Sequence, residues 1–201
     1  CDGEPGLYPL FSRRPVVVTA TPTAACTGGA AHPVTLIGAH LKAKTDGAPG
    51  DQRRLEQAIF LSDLVDTLSA GGAARVVVAG DLNDFEDSPA LIALTGDGDL
   101  DSAWGAIAAD ERYSYIYKGV SQILDHVLFE PEFRAAPRAA AALHVDADFP
   151  FAPFSSDATS VWRTADHDPV VATFDACFPD GLIFADGFWS GDATAWSTTV
   201  P

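Results

Sequence analysis

Arg75-Val76-Val77-Val78-Ala79-Gly80-Asp81-Leu82-Asn83-Asp84 is the stretch from which the rest of the chain is read. Val76 to Ala79 is an apolar, β-branched run, and Gly80 ends it. Such a run predicts a buried strand. Asp81 and Asn83 then stand at the carboxyl end of that strand. Ligands of α/β sheets bind at such edges. The reading therefore turns on which other polar residues the fold brings to Asp81 and Asn83.

Upstream, Pro15–Thr21 and Val34–Ala39 read as two strands of a hairpin, the second delivering His40 at its end. Asp51–Leu68 predicts a helix: Leu55, Ile59, Leu61, Leu64, Val65 and Leu68 approximate a 3.6-residue period, with Arg53, Arg54, Glu56, Asp63 and Asp66 on the opposite face. Gly71-Gly72 stops it. Helix, loop and buried strand in that order are an α/β signature.

Downstream, Ser88 caps a short helix with Pro89 in its first turn, running to Leu94. Leu100–Ala109 is ambiguous, and Tyr113–Tyr117 reads as a short strand or an extended loop. Gln122–Phe129 predicts a strand with Asp125 set among apolar residues. Residues 130–163 show little periodicity and read as a surface excursion. Pro169–Phe174 reads as a last core strand, preceded by Asp166-His167-Asp168.

With 201 residues, 47% of them hydrophobic and 20% charged, the chain suits one core-forming domain. No apolar run reaches the about 20 residues of a membrane helix. The net charge of -16 opposes a general electrostatic grip on nucleic acid and suits a site built on divalent cations. Methionine is absent, and Cys1-Asp2-Gly3-Glu4-Pro5-Gly6 reads as loop, so preceding sequence is expected. Cys1, Cys26 and Cys177 lack zinc-site spacing. They allow at most one internal disulfide, with Cys1–Cys26 the nearest pair, and leave the redox compartment open.

Four strand ends carry polar groups: His40, Asp81 with Asn83, Asp125, and Asp166 with His167. One alone would read as a turn former or a structural residue. Asp125 is different, because an unpaired carboxylate in an apolar strand is costly and calls for a histidine or a metal. His126 falls on the other face and reads as structural. Together, carboxylates, an amide and histidines at one sheet edge suit metal-assisted attack on phosphate. That chemistry needs an activated water, donors to developing charge, and a carboxylate to orient a histidine.

Four motifs in order carry a resemblance: Gly38-Ala39-His40-Leu41-Lys42-Ala43-Lys44, Gly80-Asp81-Leu82-Asn83-Asp84-Phe85, Leu124-Asp125-His126-Val127 and Ala165-Asp166-His167-Asp168-Pro169-Val170. They resemble the endonuclease/exonuclease/phosphatase superfamily over roughly residues 7–175. Residues 109–117 and 119–122 are similar to its secreted bacterial nuclease-like branch. The resemblance implies an α/β (α+β) fold, the deoxyribonuclease I-like four-layer sandwich. It implies a metal-dependent phosphodiesterase, an extracellular nuclease first, using Mg2+ or else Mn2+ or Ca2+. Asp81 would activate water near the metal, and Asn83 would bind the scissile phosphate. Asp125 would pair with His167, and that histidine would contact the phosphate. Asp166 would assist metal binding, and His40 would donate to the phosphate or leaving group.

The family's early Asn-bearing strand and its Glu-bearing strand, the latter supplying the principal metal ligand, have no counterpart here. Glu4 lies in loop, and Glu111 lies in a segment used differently. Residues 1–175 are therefore expected to be the C-terminal portion of the domain, truncated at its N-terminus and poorly active alone. Residues 176–201 are expected to be a tail, whose Leu182–Asp192 segment resembles C-terminal segments of secreted bacterial proteins, favouring an extracellular or envelope location. DNA or RNA is the first expected substrate, with Arg13, Arg14, Lys42, Lys44, Arg53 and Arg54 as the remnant of a basic groove. The alternatives are hydrolysis of a small phosphoester or phospholipid, and a non-catalytic domain that binds through the same fold.

Overall fold

The computed structural model describes residues 9–21, 30–31, 33–71, 75–131, 139–149, 163–174 and 177–178. Its strands are β1 (Val16–Ala20), β2 (Ala30–Ala31), β3 (Val34–Gly38), β4 (Val76–Asp81), β5 (Asp101–Ser102), β6 (Tyr115–Tyr117), β7 (Val120–Gln122), β8 (Asp125–Phe129), β9 (Ala139–Ala142), β10 (Val170–Thr173) and β11 (Cys177–Phe178). The helices are α1 (Gly47–Ala70) and α2 (Pro89–Thr95), with short 3-10 turns between α2 and β6.

The main sheet has the order β1-β3-β4-β8-β5. β1 and β3 form the expected antiparallel hairpin, Val16 opposite Gly38 and Ala20 opposite Val34. β3 runs parallel to β4, with α1 as the crossover. β4 runs antiparallel to β8. Val76, Val77 and Val78 are all buried, as the unbroken valine run demands. Val76 and Val78 face Ile37, Leu61, Val65, Leu91, Leu94 and Leu128 on the helical side. Val77 faces the other way, onto Ala103 and Phe129. Ser88 caps α2 by accepting a hydrogen bond from the Leu91 N–H, and Pro89 occupies the first turn.

Three readings are corrected. The expected last core strand is present as β10, but it pairs with β9, from the stretch read as a surface excursion, in a two-stranded sheet apart from the main one. That sheet packs through Ala140, Ala172 and Phe174 against the Val77–Phe129 face, the Phe129 and Phe174 rings meeting edge to face at 5.0 Å. Part of the supposed surface excursion is therefore a structural layer. Second, α1 buries Arg54, Gln57, Ala58, Leu61 and Val65, while Ile59 is 46% exposed. The helix is rotated so that a charged side chain faces inward, because Asp84 waits there: Arg54 Nε donates to Asp84 Oδ2 at 2.9 Å. Third, Gln122 belongs to β7 and Asp125 opens β8, so Asp125 starts its strand instead of sitting inside it.

Cys1 and Cys26, the pair nearest in sequence for an internal disulfide, lie outside the described residues, as does nearly all of the 176–201 segment. Within that segment, Cys177–Phe178 pairs antiparallel with Ala30–Ala31. No helix among the described residues is long and apolar enough to cross a membrane.

Candidate active site

The ends of β3 and β4 meet at Gly80. Its φ is +142°, and a Cβ there would lie 2.0 Å from the Ala39 carbonyl oxygen, so only glycine permits the approach. The parallel ladder continues past the strands: the Ala39 N–H donates to Ala79 O and the Leu41 N–H to Asp81 O, both at 3.0 Å. His40 is thereby fixed beside Asp81, with His40 Nε2 3.4 Å from Asp81 Oδ2. Arg13 approaches from the β1 side, its Nη1 2.8 Å from each ring nitrogen of His40.

Asp81 is held by the turn that follows it. The Asn83 backbone N–H donates to Asp81 Oδ1, and Asn83 Nδ2 donates to Asp81 Oδ2, both at 2.9 Å. The other Nδ2 proton goes to Leu41 O at 3.2 Å. Asn83 takes φ +53°, a left-handed conformation that asparagine tolerates better than most residues. Both amide protons of Asn83 are thus engaged. In this arrangement it positions Asp81 and has no donor left for a phosphate.

On the next strand, Asp125 lies in register opposite Asp81. Its Oδ2 is 2.6 Å from His167 Nδ1. Buried Ser114 holds the start of β8, its Oγ accepting from the N–H groups of Leu124 at 3.3 Å and Asp125 at 3.1 Å. Trp104 Nε1 donates to Asp125 O at 3.0 Å. His167 stacks on Tyr115, ring centroids 4.5 Å apart. The loop carrying His167 is anchored by two buried carboxylates. Asp146 Oδ1 accepts from the N–H groups of Thr164 and Ala165. Asp168 Oδ1 accepts from those of Asp146 and Ala147 at 2.8 and 2.9 Å.

The electrostatics follow from this packing. Burial, and then the facing charge of Asp125, raise the Asp81 pKa above the ordinary carboxylate value, against the opposing pull of His167, His40 and the Asn83 N–H. Burial alone would lower the pKa of His167. Its hydrogen bond to Asp125 and the charges of Asp125, Asp81 and Asp166 outweigh that and raise it. One ligand atom each from Asp81, Asp125 and His167 lie within 4.8 Å of one another. Two carboxylates forced face to face are what a bound cation relieves, and an oxygen-rich set with one imidazole suits a divalent ion.

A family model for the endonuclease/exonuclease/phosphatase family matches residues 7–196. The chain belongs to that family. Its fold is the deoxyribonuclease I-like α/β fold, of which the described residues supply a helical layer, the main sheet and the β9–β10 sheet. Among solved structures, the mannosyl-6-phosphatase of Bacteroides thetaiotaomicron is 14% identical with a TM-score of 0.50, over 71% of this chain and 51% of that one. Caenorhabditis elegans TDP2 is 16% identical with a TM-score of 0.50, over 71% and 42%. An endonuclease/exonuclease/phosphatase family protein from Bacteroides thetaiotaomicron is 17% identical with a TM-score of 0.48, over 69% and 47%. The chain thus spans about half the length of the structures it matches. No curated protein sequence matches it.

Within this family member, His40, Asp81, Asn83, Asp125, Asp166 and His167 all line one cavity of about 1000 Å³. Asp166 is on its exposed rim, outside the group of three potential ligands. No glutamate among the described residues lines the cavity. Glu111 instead meets His144, with Oε2 3.2 Å from Nε2. His126 is structural: it is buried, its Nε2 donates to Asp84 O at 2.9 Å, and burial lowers its pKa. Of the six basic residues read as a groove, Arg13 and Lys44 reach the cavity. Arg54 is fully buried, Lys42 pairs with Asp46 at 2.6 Å, and Arg53 Nε donates to Leu10 O at 2.9 Å. Ser114, Tyr115 and Asp168 fall inside stretches that carry the family resemblance, but no site role was read for them, and Asp146 had no signal stronger than loop composition. The dense carboxylates of His144-Val145-Asp146-Ala147-Asp148 were the one available cue.

Proposed function

We propose that the protein is a metal-dependent phosphodiester hydrolase acting on nucleic acid, located outside the cell. The observation that carries the chemistry is Asp81 opposite Asp125 in register, with His167 bonded to Asp125, at the floor of the cavity. A divalent ion, of which Mg2+ is the first choice, would be held by the carboxylates of Asp81 and Asp125 and would polarise the phosphate and the attacking water. Arg13 and His40 would lie against the phosphate oxygens. Asp81, its pKa raised, accepts a proton from the attacking water, and Asn83 keeps its carboxylate in one orientation. His167, held by Asp125, carries positive charge toward the phosphate. The P–O bond to water forms as the bond to the leaving oxygen breaks, and that oxygen takes its proton from His40 or His167. The name of one matched structure, a mannosyl-6-phosphatase, is consistent with phosphoester chemistry. The secreted-type tail and acidic composition support the location.

The test is cleavage of plasmid DNA, RNA and a generic phosphodiester with Mg2+. Cleavage abolished by EDTA and by Asp81→Ala is the expected result. Cleavage that survives EDTA overturns the metal assignment. The lack of a glutamate at the cavity among the described residues favours a second reading, a domain that binds phosphate-bearing ligands without cutting them. Binding without turnover would establish that reading instead.

A further inference from the structure

Three rings stand in a row leading out of the site. His167 stacks on Tyr115 at 4.5 Å and 30°, and Tyr115 faces Tyr117 at 6.4 Å and 17°. Tyr115 and Tyr117 share one face of β6 because strand side chains alternate. Tyr117 is 50% exposed, so its ring adds little to the core. Both tyrosines line the cavity that holds Asp81 and Asp125.

The row is rigid. β6 and β7 are joined by Lys118-Gly119 alone, with φ +50° and +81°, the left-handed pair of a type I′ hairpin turn. Its base is tied to the catalytic strands: the Ser114 N–H donates to Gln122 O at 3.0 Å, and the Asp168 N–H to Ser114 O at 2.7 Å. Cations accompany the aromatics. Lys118 Nζ lies 5.0 Å from the Tyr117 ring centre, and on the same cavity's wall Lys44 Nζ lies 4.4 Å from that of Phe85.

We infer that the β6–β7 hairpin is a base-stacking arm, and that the site takes an unpaired nucleic-acid strand whose base beside the scissile phosphate lies against Tyr117. This rests on the phosphodiester reading of the cavity and adds the substrate class. The exposed face of Tyr117, in line with Tyr115 and His167, is the surface on which a base would lie. Lys118, beside the Tyr117 ring, would meet a flanking phosphate. Aromatic platforms beside cations are how single strands are held without sequence preference. A sugar phosphate or lipid headgroup has no planar ring to use the row. A duplex offers its bases already stacked.

The test compares binding of a fluorescent oligothymidylate with that of the same-length strand carrying abasic residues, in EDTA, by anisotropy. Wild type is expected to prefer the base-bearing strand. Tyr117→Ala is expected to reduce that preference roughly 5- to 150-fold, the range for one stacked base, while Tyr117→Phe retains it. The ratio of affinities for two strands in the same variant is insensitive to a general loss of folded protein. A wild type without the preference, or a Tyr117→Ala variant that keeps it, overturns the inference. Base-dependent binding without cleavage under Mg2+ sustains the stacking arm and overturns the hydrolase. Cleavage that ignores the presence of bases does the reverse. A chain that neither binds nor cleaves overturns both.

Discussion

Asp81 ends β4 and Asp84 lies on the turn that follows, and their surroundings are opposite. Asp84 is nearly buried, yet Arg54 Nε at 2.9 Å and the Lys44 ammonium neutralise it. Burial pushes its pKa up, but these two cations outweigh that and hold it below the ordinary value. Asp81 faces another carboxylate across the sheet, and its pKa is raised. One carboxylate fastens α1 to the turn. The other is kept in an environment that opposes its charge, which marks a working site more often than a scaffold.

The largest separation of the two roles should come from Asp81→Ala. Phosphodiester cleavage is expected to fall about 10³-fold, in the range for loss of a general base, with no fall in melting temperature. Asp84→Ala should do the opposite first: it takes from the buried Arg54 one of its two carboxylate partners, Asp51 remaining, and costs about 3 kcal/mol, read from urea unfolding. In a chain of this size that corresponds to a melting temperature lower by roughly 10 °C. If the pair only offsets its own desolvation, Asp84→Leu with Arg54→Leu should recover most of that loss.

Smaller, and of opposite sign, is Asp81→Asn. It removes one of two facing like charges and is expected to stabilise the chain at pH 7 by a few tenths to about 1 kcal/mol. Because the folded pKa of Asp81 is raised, its ionisation erodes stability as pH rises from the unfolded value of about 4 through the folded one. The advantage of Asp81→Asn should therefore vanish in acid. Asp84 contributes in the other sense. Its stabilisation is complete above that unfolded value and is lost as pH falls through the depressed folded one. Melting temperatures from pH 2 to 7 for wild type, Asp81→Asn and Asp84→Asn would separate the two slopes.

This contrast also explains what the sequence could and could not say. β4, the hairpin of β1 with β3, and the Ser88-Pro89 helix start were legible, because each is declared by adjacent residues: a valine run, paired strands, a cap followed by proline. The positions of His40 and Asp81 at the ends of β3 and β4 followed from the same local punctuation. The inward turn of Arg54 was not legible, because its partner lies 30 residues away and a charged helical residue is ordinarily assigned to solvent. Nor was β9, whose Ala139–Ala142 has no β-branched residue and becomes a strand by pairing with the distant β10. The engagement of both Asn83 protons depends on Leu41 O, which only the β3–β4 approach brings near.

Ser114 links three stretches that lie far apart along the chain: its hydroxyl takes the Leu124 and Asp125 amides, and its carbonyl takes the Asp168 amide. The Asp125–His167 pair can therefore close only after the hairpin, β8 and the 163–168 loop have all docked, late in folding and at high loop-closure cost. A nascent or partly unfolded chain should carry no assembled dyad. In native-state hydrogen exchange, Ser114→Ala should loosen the amides of Leu124 and Asp125, whose acceptor is the lost hydroxyl, and should leave the Asp168 amide, whose acceptor is the Ser114 carbonyl, the better protected of the three.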